Sequence, residues 1–313
     1  MLLFPSVRLG IDVGGTKIEG VCLDTEGHDR ARERIVTPRG AYAEVLEAIA
    51  HLVEELERSA GGRAERIGVG TPGFLAPCDG AIRNSNLQPL NGRALDRDLA
   101  SRLGRPVRVA NDANCFVLSE TLDGAATRER PPSSSDQPDV VFGATLGTGV
   151  GGGFVISSRV WPGANGSAGE WSHLSLPYLR PEDGLGSGCY CGRPVCIESF
   201  LCGRGLEWEH QRTQGETISS KEIARRAAEG DPAAMVTFAS FEDRLARALA
   251  LVVDLVDPRA IVLGGGIANN PRLFENVPAL MERYTVARGL ATRLVAARHG
   301  DASGVRGAAR LWD

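Results

Sequence analysis

The sequence predicts an α/β protein of two domains around a cleft, and three observations carry that reading. Its 313 residues exceed the size at which a single hydrophobic core stops growing. A strand–glycine turn–strand pattern, "VRLGIDVGGTKIEGVCLD", opens the chain and returns as "VVFGATLGTGVGGGFVIS" at residues 140 to 157, about half a chain later, one copy for each domain. Between and after the copies, short apolar runs alternate with amphipathic helical stretches, which is the grammar of βα units with ligands beyond the carboxyl ends of the strands. Two glycine-tipped hairpins facing each other from two domains would clamp a phosphate.

Composition narrows the function. The net charge is −4, with no lysine and arginine block that could follow a nucleic-acid backbone, so any phosphate is held mainly by backbone N–H groups and a few placed cations. The 39 glycines fall in short runs and read as tight loops. No apolar run reaches the length of a transmembrane helix, and "MLLFPSVRLGID" lacks a basic leader, so the expected setting is cytoplasmic. An odd cysteine count suits that compartment. Cys22, Cys78, Cys115 and Cys202 read as ordinary buried thiols.

In chain order, "AYAEVLEAIAHLVEELERS" sets Val45, Leu46, Ile49, Leu52, Val53 and Leu56 on one helical face. "RIGVGTPGFL" is a strand ended by Pro-Gly and "GAIRNSNLQPLNG" a long loop. "LDRDLASRLG" is a helix closed by glycine, and "PVRVAND" a strand with Asn111 and Asp112 at its end. "TRERPPSSSDQP", residues 127 to 138, is a polar, proline-rich surface joint. Farther on, "DPAAMVTFASFEDRLARALALVVDLVDP" is a long helix with a buried C-terminal end, and "AIVLGGGIANN" a buried strand breaking into glycines at a helix start, suited to a nucleotide. "GVRGAARLW" is a closing helix that returns to the first domain. The expected domains are residues 1–115, with 300–313 packing back, and residues 116–299. One stretch stands apart: "CYCGRPVCIE" places three cysteines in a C-x-C-x4-C run, one donor short of a tetrahedral zinc site.

With "DVGGTK", "NDAN", "LGTGVGGG", "GEWSH", "CYCGRPVCIE" and "VLGGG" in that order, the chain resembles the bacterial ROK sugar kinases over essentially its whole length. The resemblance implies the duplicated actin-like ATPase (ribonuclease H-like) fold, with ATP and Mg²⁺ as cofactors. It is nearest to the fructokinase (manno-fructokinase) branch, through "NSNLQPLNG", "NGSAGEWSH" and "HGDASGVRGAARLW". The expected reaction is transfer to the 6-hydroxyl of fructose, with mannose as a second substrate; the alternatives are an N-acetylglucosamine kinase or a glucokinase. Dimers are common in the family, so the resemblance allows a homodimer.

Residue by residue, the resemblance assigns Asp112 as general base, and Asn86, Asn111, Asp112, Glu170, His173 and Glu198 to the hexose. Asp12 orders water around Mg²⁺, while Gly14, Gly15, Thr16, Lys17, Gly147, Thr148 and Gly149 meet the phosphates. Gly265 and Gly266 take the adenine–ribose side. His173 completes a closed zinc set with Cys189, Cys191 and Cys196, leaving no open position for water; such an ion is structural and shapes the sugar pocket. Two positions depart from the family pattern, Ser172 and Val195, where glycine is usual. A β-branched residue at position 195 is costly if that backbone needs a positive φ. A sugar-sensing regulator of the same family is a non-enzymatic alternative, disfavoured because the first hairpin begins within about ten residues of the start, without room for a DNA-binding segment. A zinc-knuckle nucleic-acid binder conflicts with the acidic charge.

Overall fold

The computed structural model describes residues 7–127 and 139–313; apart from Thr127, the polar joint lies outside them. Contacts divide these residues into two units, one of 7–127, 153–168 and 301–313, the other of 139–152 and 169–300.

In the first unit, β1 (Arg8–Val13), β2 (Lys17–Leu23) and β3 (Asp29–Val36) form an antiparallel meander. After α1 (Tyr42–Ala60) come β4 (Ile67–Thr71), the short pair β5 (Phe74–Leu75) and β6 (Ile82–Arg83), α2 (Leu95–Leu103), β7 (Val107–Asn111) and α3 (Asp112–Leu122). The sheet order is β3-β2-β1-β4-β7, with β4 parallel to β1 and to β7. Val45, Ile49, Leu52, Val53 and Leu56 of α1 are fully or nearly fully buried in one core with Ile11, Ile18, Ile67 and Val69, while Leu46 sits at its margin. Each fully buried aliphatic side chain contributes roughly 1.5–3 kcal/mol.

The second sheet is built from β8 (Val140–Leu146), β9 (Val150–Ile156), β10 (Arg159–Val160), β11 (Ala260–Gly264) and β12 (Arg293–Ala296). Its order, β10-β9-β8-β11-β12, repeats the first in sequence rank, third-second-first-fourth-fifth. Again the fourth and fifth strands are parallel additions. The division into units passes along β9, after Gly152. Helices α4 (Glu198–Leu201), α5 (Gly203–Gln214), α6 (Ser220–Ala228), α7 (Pro232–Val256) and α8 (Arg272–Met281) belong to the second unit.

The closing helix α9 (Ser303–Ala309) lies in the first unit, against β1, β4 and α3. Three glycines allow this: a Cβ on Gly10 or Gly68 would overlap the α9 backbone, and one on Gly307 would overlap Cys115 O. A boundary at residue 115 would cut α3, which this packing keeps whole in the first unit.

Three expectations shift. The end of α7 is only partly covered, since Leu255 is 71% exposed. The glycines after β11 lead into a 3-10 turn, Ile267–Asn269, and α8 begins only at Arg272. Cys78 is exposed, unlike Cys22, Cys115 and Cys202. Among the described residues no helix is long and apolar enough to cross a membrane.

Candidate functional site

The first unit supplies a carboxylate pair, Asp12 near the end of β1 and Asp112 just after β7, the two strands that flank β4. Asp12 stands near the end of β1, where Gly14 N donates to Lys17 O at 2.9 Å to close the turn. Gly15 and Thr16 are exposed at the tip, and a Cβ on Gly15 would meet nothing within 4 Å. Since Gly15 has neither a positive φ nor a packing reason to be glycine, its bareness leaves backbone N–H groups open to an anion. Burial pushes the Asp12 carboxyl up to about 7, helped by the charges of Asp112 and Glu19 and opposed by Lys17. Glu19 is itself buried beneath the hairpin, 3.0 Å from Arg32 and 2.7 Å from Arg34, with Lys17 Nζ at 3.6 Å.

Asp112 opens α3, and a strand-end aspartate is a good helix cap. Here that task falls to Asn111, whose Oδ1 accepts from Ala113 N at 2.9 Å and Asn114 N at 3.4 Å. Its Nδ2 donates to Gly73 O at 2.9 Å. Asp112 Oδ1 accepts from Ala113 N at 2.8 Å, and burial raises its pKa, with that N–H and its own backbone N–H opposing. Relieved of capping, its carboxylate keeps accepting capacity and a heightened affinity for a proton. Asn86 is exposed on the bend after Ser85, which Asn91 holds through Ser85 N and O at 3.0 and 2.8 Å.

The second unit joins its glycine hairpin to the cysteine loop. Gly147, Thr148 and Gly149 form the turn between β8 and β9, and a Cβ on Gly147 would meet nothing within 4 Å. Gly147 O accepts from Gly203 N, the first residue of α5, at 2.7 Å; Cys202 Sγ caps that helix at Gly205 N, 3.4 Å. Gly265 has φ +89° and packs on the Leu146 backbone at the foot of this turn, and Gly266 beside it in the chain is again open. Glu198 is buried, and its Oε2 accepts from Val150 N at 2.9 Å. Burial raises its pKa, with that N–H and Arg204 opposing.

His173, Cys189, Cys191 and Cys196 bring four donor atoms within 4.8 Å of one another. Cys191 and Cys196 Sγ are 3.6 Å apart, and His173 Nδ1 is 3.4 Å from Cys189 Sγ. A tetrahedron with Zn–S of about 2.3 Å has edges of roughly 3.7 Å, so the set fits zinc by spacing as well as by donor softness. His173 turns its Nε2 outward, to Tyr190 Oη at 2.9 Å and Glu170 Oε2 at 3.6 Å. Val195, the residue before Cys196, has φ +50°, the left-handed conformation that disfavours a β-branched side chain. Ser172 is buried in the 3-10 turn Trp171–His173.

Trp171 anchors this turn: its Nε1 donates to Gly151 O at 2.9 Å and it meets Phe142 edge-on at 5.3 Å. From α7, Arg247 donates to Tyr178 O at 2.9 Å and to both oxygens of Asp183 at 2.8 Å. Although burial works to raise it, Arg247 and Arg244 hold the Asp183 carboxyl well below the usual carboxylate range. The segment that follows His173 is therefore clamped by a buried ionic cluster.

Sequence reasoning missed Glu19, Tyr190 and the Glu198–Val150 link. Glu19 had one signal, an acid alternating into the core face of β2; the other two depend on loop geometry with no sequence periodicity.

The ROK family model matches residues 8–313, and the chain belongs to the ROK family, with the duplicated two-domain actin-like ATPase fold. It is 40% identical over 307 residues to the N-acetyl-D-glucosamine kinase of Pectobacterium atrosepticum, covering 96% of this chain and 97% of that protein. Among solved structures it resembles the ROK hexokinase of Thermus thermophilus, with TM-score 0.81 and 34% identity over 97% of this chain and 96% of that one. It also resembles a ROK glucokinase of Streptomyces griseus solved with glucose and AMPPNP, with TM-score 0.76 and 26% identity over 98% of this chain and 99% of that one.

Proposed function

We propose that this protein is an ATP-dependent hexose kinase acting on the 6-hydroxyl of N-acetylglucosamine. Asp112 carries the reading: a half-buried residue whose carboxyl has a raised pKa at a helix start whose cap is already supplied by Asn111. The choice of sugar is supported by the 40% identity to an N-acetylglucosamine kinase, which favours that alternative over the fructose expected from the branch motifs.

In the reaction, the hydroxyl oxygen attacks the γ-phosphorus in line, the bond to the β-phosphate oxygen breaks, and ADP leaves. Asp112 receives the hydroxyl proton. Lys17, Thr16 and the glycine turns at 14–15 and 147–149, with Thr148, hold phosphate oxygens, and Gly265 and Gly266 face the adenine–ribose side. Mg²⁺, when bound, compensates charge on the phosphates; Asp12 is the residue that would hold its water shell. Asn111 has a second amide hydrogen to offer a sugar hydroxyl, and Asn86, Glu170, His173 Nε2 and Glu198 complete the hexose contacts. Cys189, Cys191, Cys196 and His173 Nδ1 would hold a structural zinc that fixes the positions of His173 and Glu198.

A coupled ADP-release assay over N-acetylglucosamine, glucose, mannose and fructose tests this. The highest kcat/KM is expected for N-acetylglucosamine. A fructose preference would restore the fructokinase reading, and no turnover with any of the four would overturn the kinase itself.

A further inference from the structure

The first unit contains a cavity of about 490 Å³, walled by the β7 edge, residues 158–166 and the end of the chain. Four arginines and one aspartate are its charged lining residues. Arg310 and Asp313 neutralise each other at 3.0 Å, with Asp123 also on Arg310 and Arg8 on Asp313. Arg66, Arg108 and Arg159 are different: among the described residues none of them has a carboxylate partner. They are also close enough to act on one another, because burial first, and then the charges of Arg66 and Arg159, lower the pKa of Arg108.

Two of the three cations, Arg66 and Arg108, are organised around a fixed ring. Trp312 donates Nε1 to Ile67 O at 2.9 Å, and the guanidiniums of Arg108 and Arg66 lie over its face, 4.0 and 5.2 Å from the centroid. Arg108 is further held by Leu311 O at 2.6 Å. Asn111 and Asn114 add side-chain amides to the wall. Like charges collected in a concave site, without acids to balance them, are costly unless an anion shares the site. Guanidinium forks suit the terminal oxygens of a phosphate, and the volume suits one small molecule.

We infer that this cavity is a binding site for a phosphomonoester of a small metabolite, meeting the proposed hexose site only at Asn111. Its positive wall takes the phosphate, and the Asn114 amide takes a hydroxyl of the attached group. The inference does not rest on the sugar proposed above.

Calorimetric titration with inorganic phosphate, N-acetylglucosamine 6-phosphate and unphosphorylated N-acetylglucosamine tests it in the full chain. The Arg66→Ala/Arg159→Ala double variant removes two exposed side chains, and Arg108→Lys keeps charge while losing the planar fork. The expected result is binding of a phosphorylated probe that weakens at least tenfold in the double variant and measurably in Arg108→Lys, with neutral-sugar affinity unchanged. Equal binding of inorganic phosphate and the sugar phosphate would support recognition of the phosphate group alone; tighter sugar-phosphate binding would support a role for the Asn114 amide. Wild-type affinity for both phosphates in the double variant, or no binding of either to the wild type at millimolar concentration, would overturn the proposal. Activity is not the readout, so failure here is distinguishable from failure of the kinase assignment.

Discussion

Asp12 and Val195 are single residues held against their own preferences. A carboxyl whose pKa rises from 3.8 to about 7 on folding binds a proton in the folded state that the unfolded chain releases, so its contribution to stability is lost as pH climbs from about 4 to 7. Asp12→Asn should therefore raise the Tm of the ligand-free protein by a few degrees at pH 8 while lowering kcat/KM by on the order of a hundredfold or more. In the proposed role of Asp12, a proton on its carboxyl competes with Mg²⁺. Activity titrated with Mg²⁺ should need up to about tenfold more ion for each pH unit below 7, whereas a flat requirement between pH 6 and 8 would exclude Asp12 from the ion's surroundings. At Val195 the strain of φ +50° is on the order of 1–3 kcal/mol. Val195→Gly is expected to raise Tm, read by calorimetry, and to slow extraction of metal by a chelator; a lower Tm would show that the valine side chain contributes more than its backbone costs.

At the scale of elements, regular pieces were legible and their joints were not. The spacing of Val45, Ile49, Leu52, Val53 and Leu56 identifies α1 because one buried stripe enforces a helical period. The glycine-tipped hairpins are equally plain, since a bare glycine with no conformational duty marks an approach to something outside the chain. Between "GEWSH" and "CYCGRPVCIE" there is no period to read, and the four donors meet only because turns at 171–173 and 189–196 return the chain on itself. The Glu198–Val150 bond joins that loop to the second hairpin, so the cysteine cluster does more than close a loop. With the proposed zinc in place, chelation should raise KM for the sugar more than it lowers the affinity for ATP, with partial recovery when zinc is restored. A proportionate loss of both affinities would indicate general unfolding and not a local change at His173 and Glu198.

Over the whole molecule, the two sheets carry the same strand rank, and the repeat of strand, glycine turn and strand announced that duplication in the sequence. What it did not announce is which distant pieces complete each unit. Residues 153–168 and α9 join the first unit because Gly153 and Gly307 remove side chains where α3 passes. Such vacancies are invisible until the partner backbone is known. The motif order identified a family of sugar kinases, whereas the branch motifs pointed to fructose and the relatives favour N-acetylglucosamine. Small differences in pocket shape decide between hexoses, and no single motif encodes them.

The most direct test of the account is to compare Asp112→Asn with the wild type in turnover and, by calorimetry, in sugar binding. Phosphoryl transfer with Asp112 as the proton acceptor predicts a fall in kcat of at least about a hundredfold, with sugar affinity within a few-fold of wild type. A kcat near that of the wild type would contradict it.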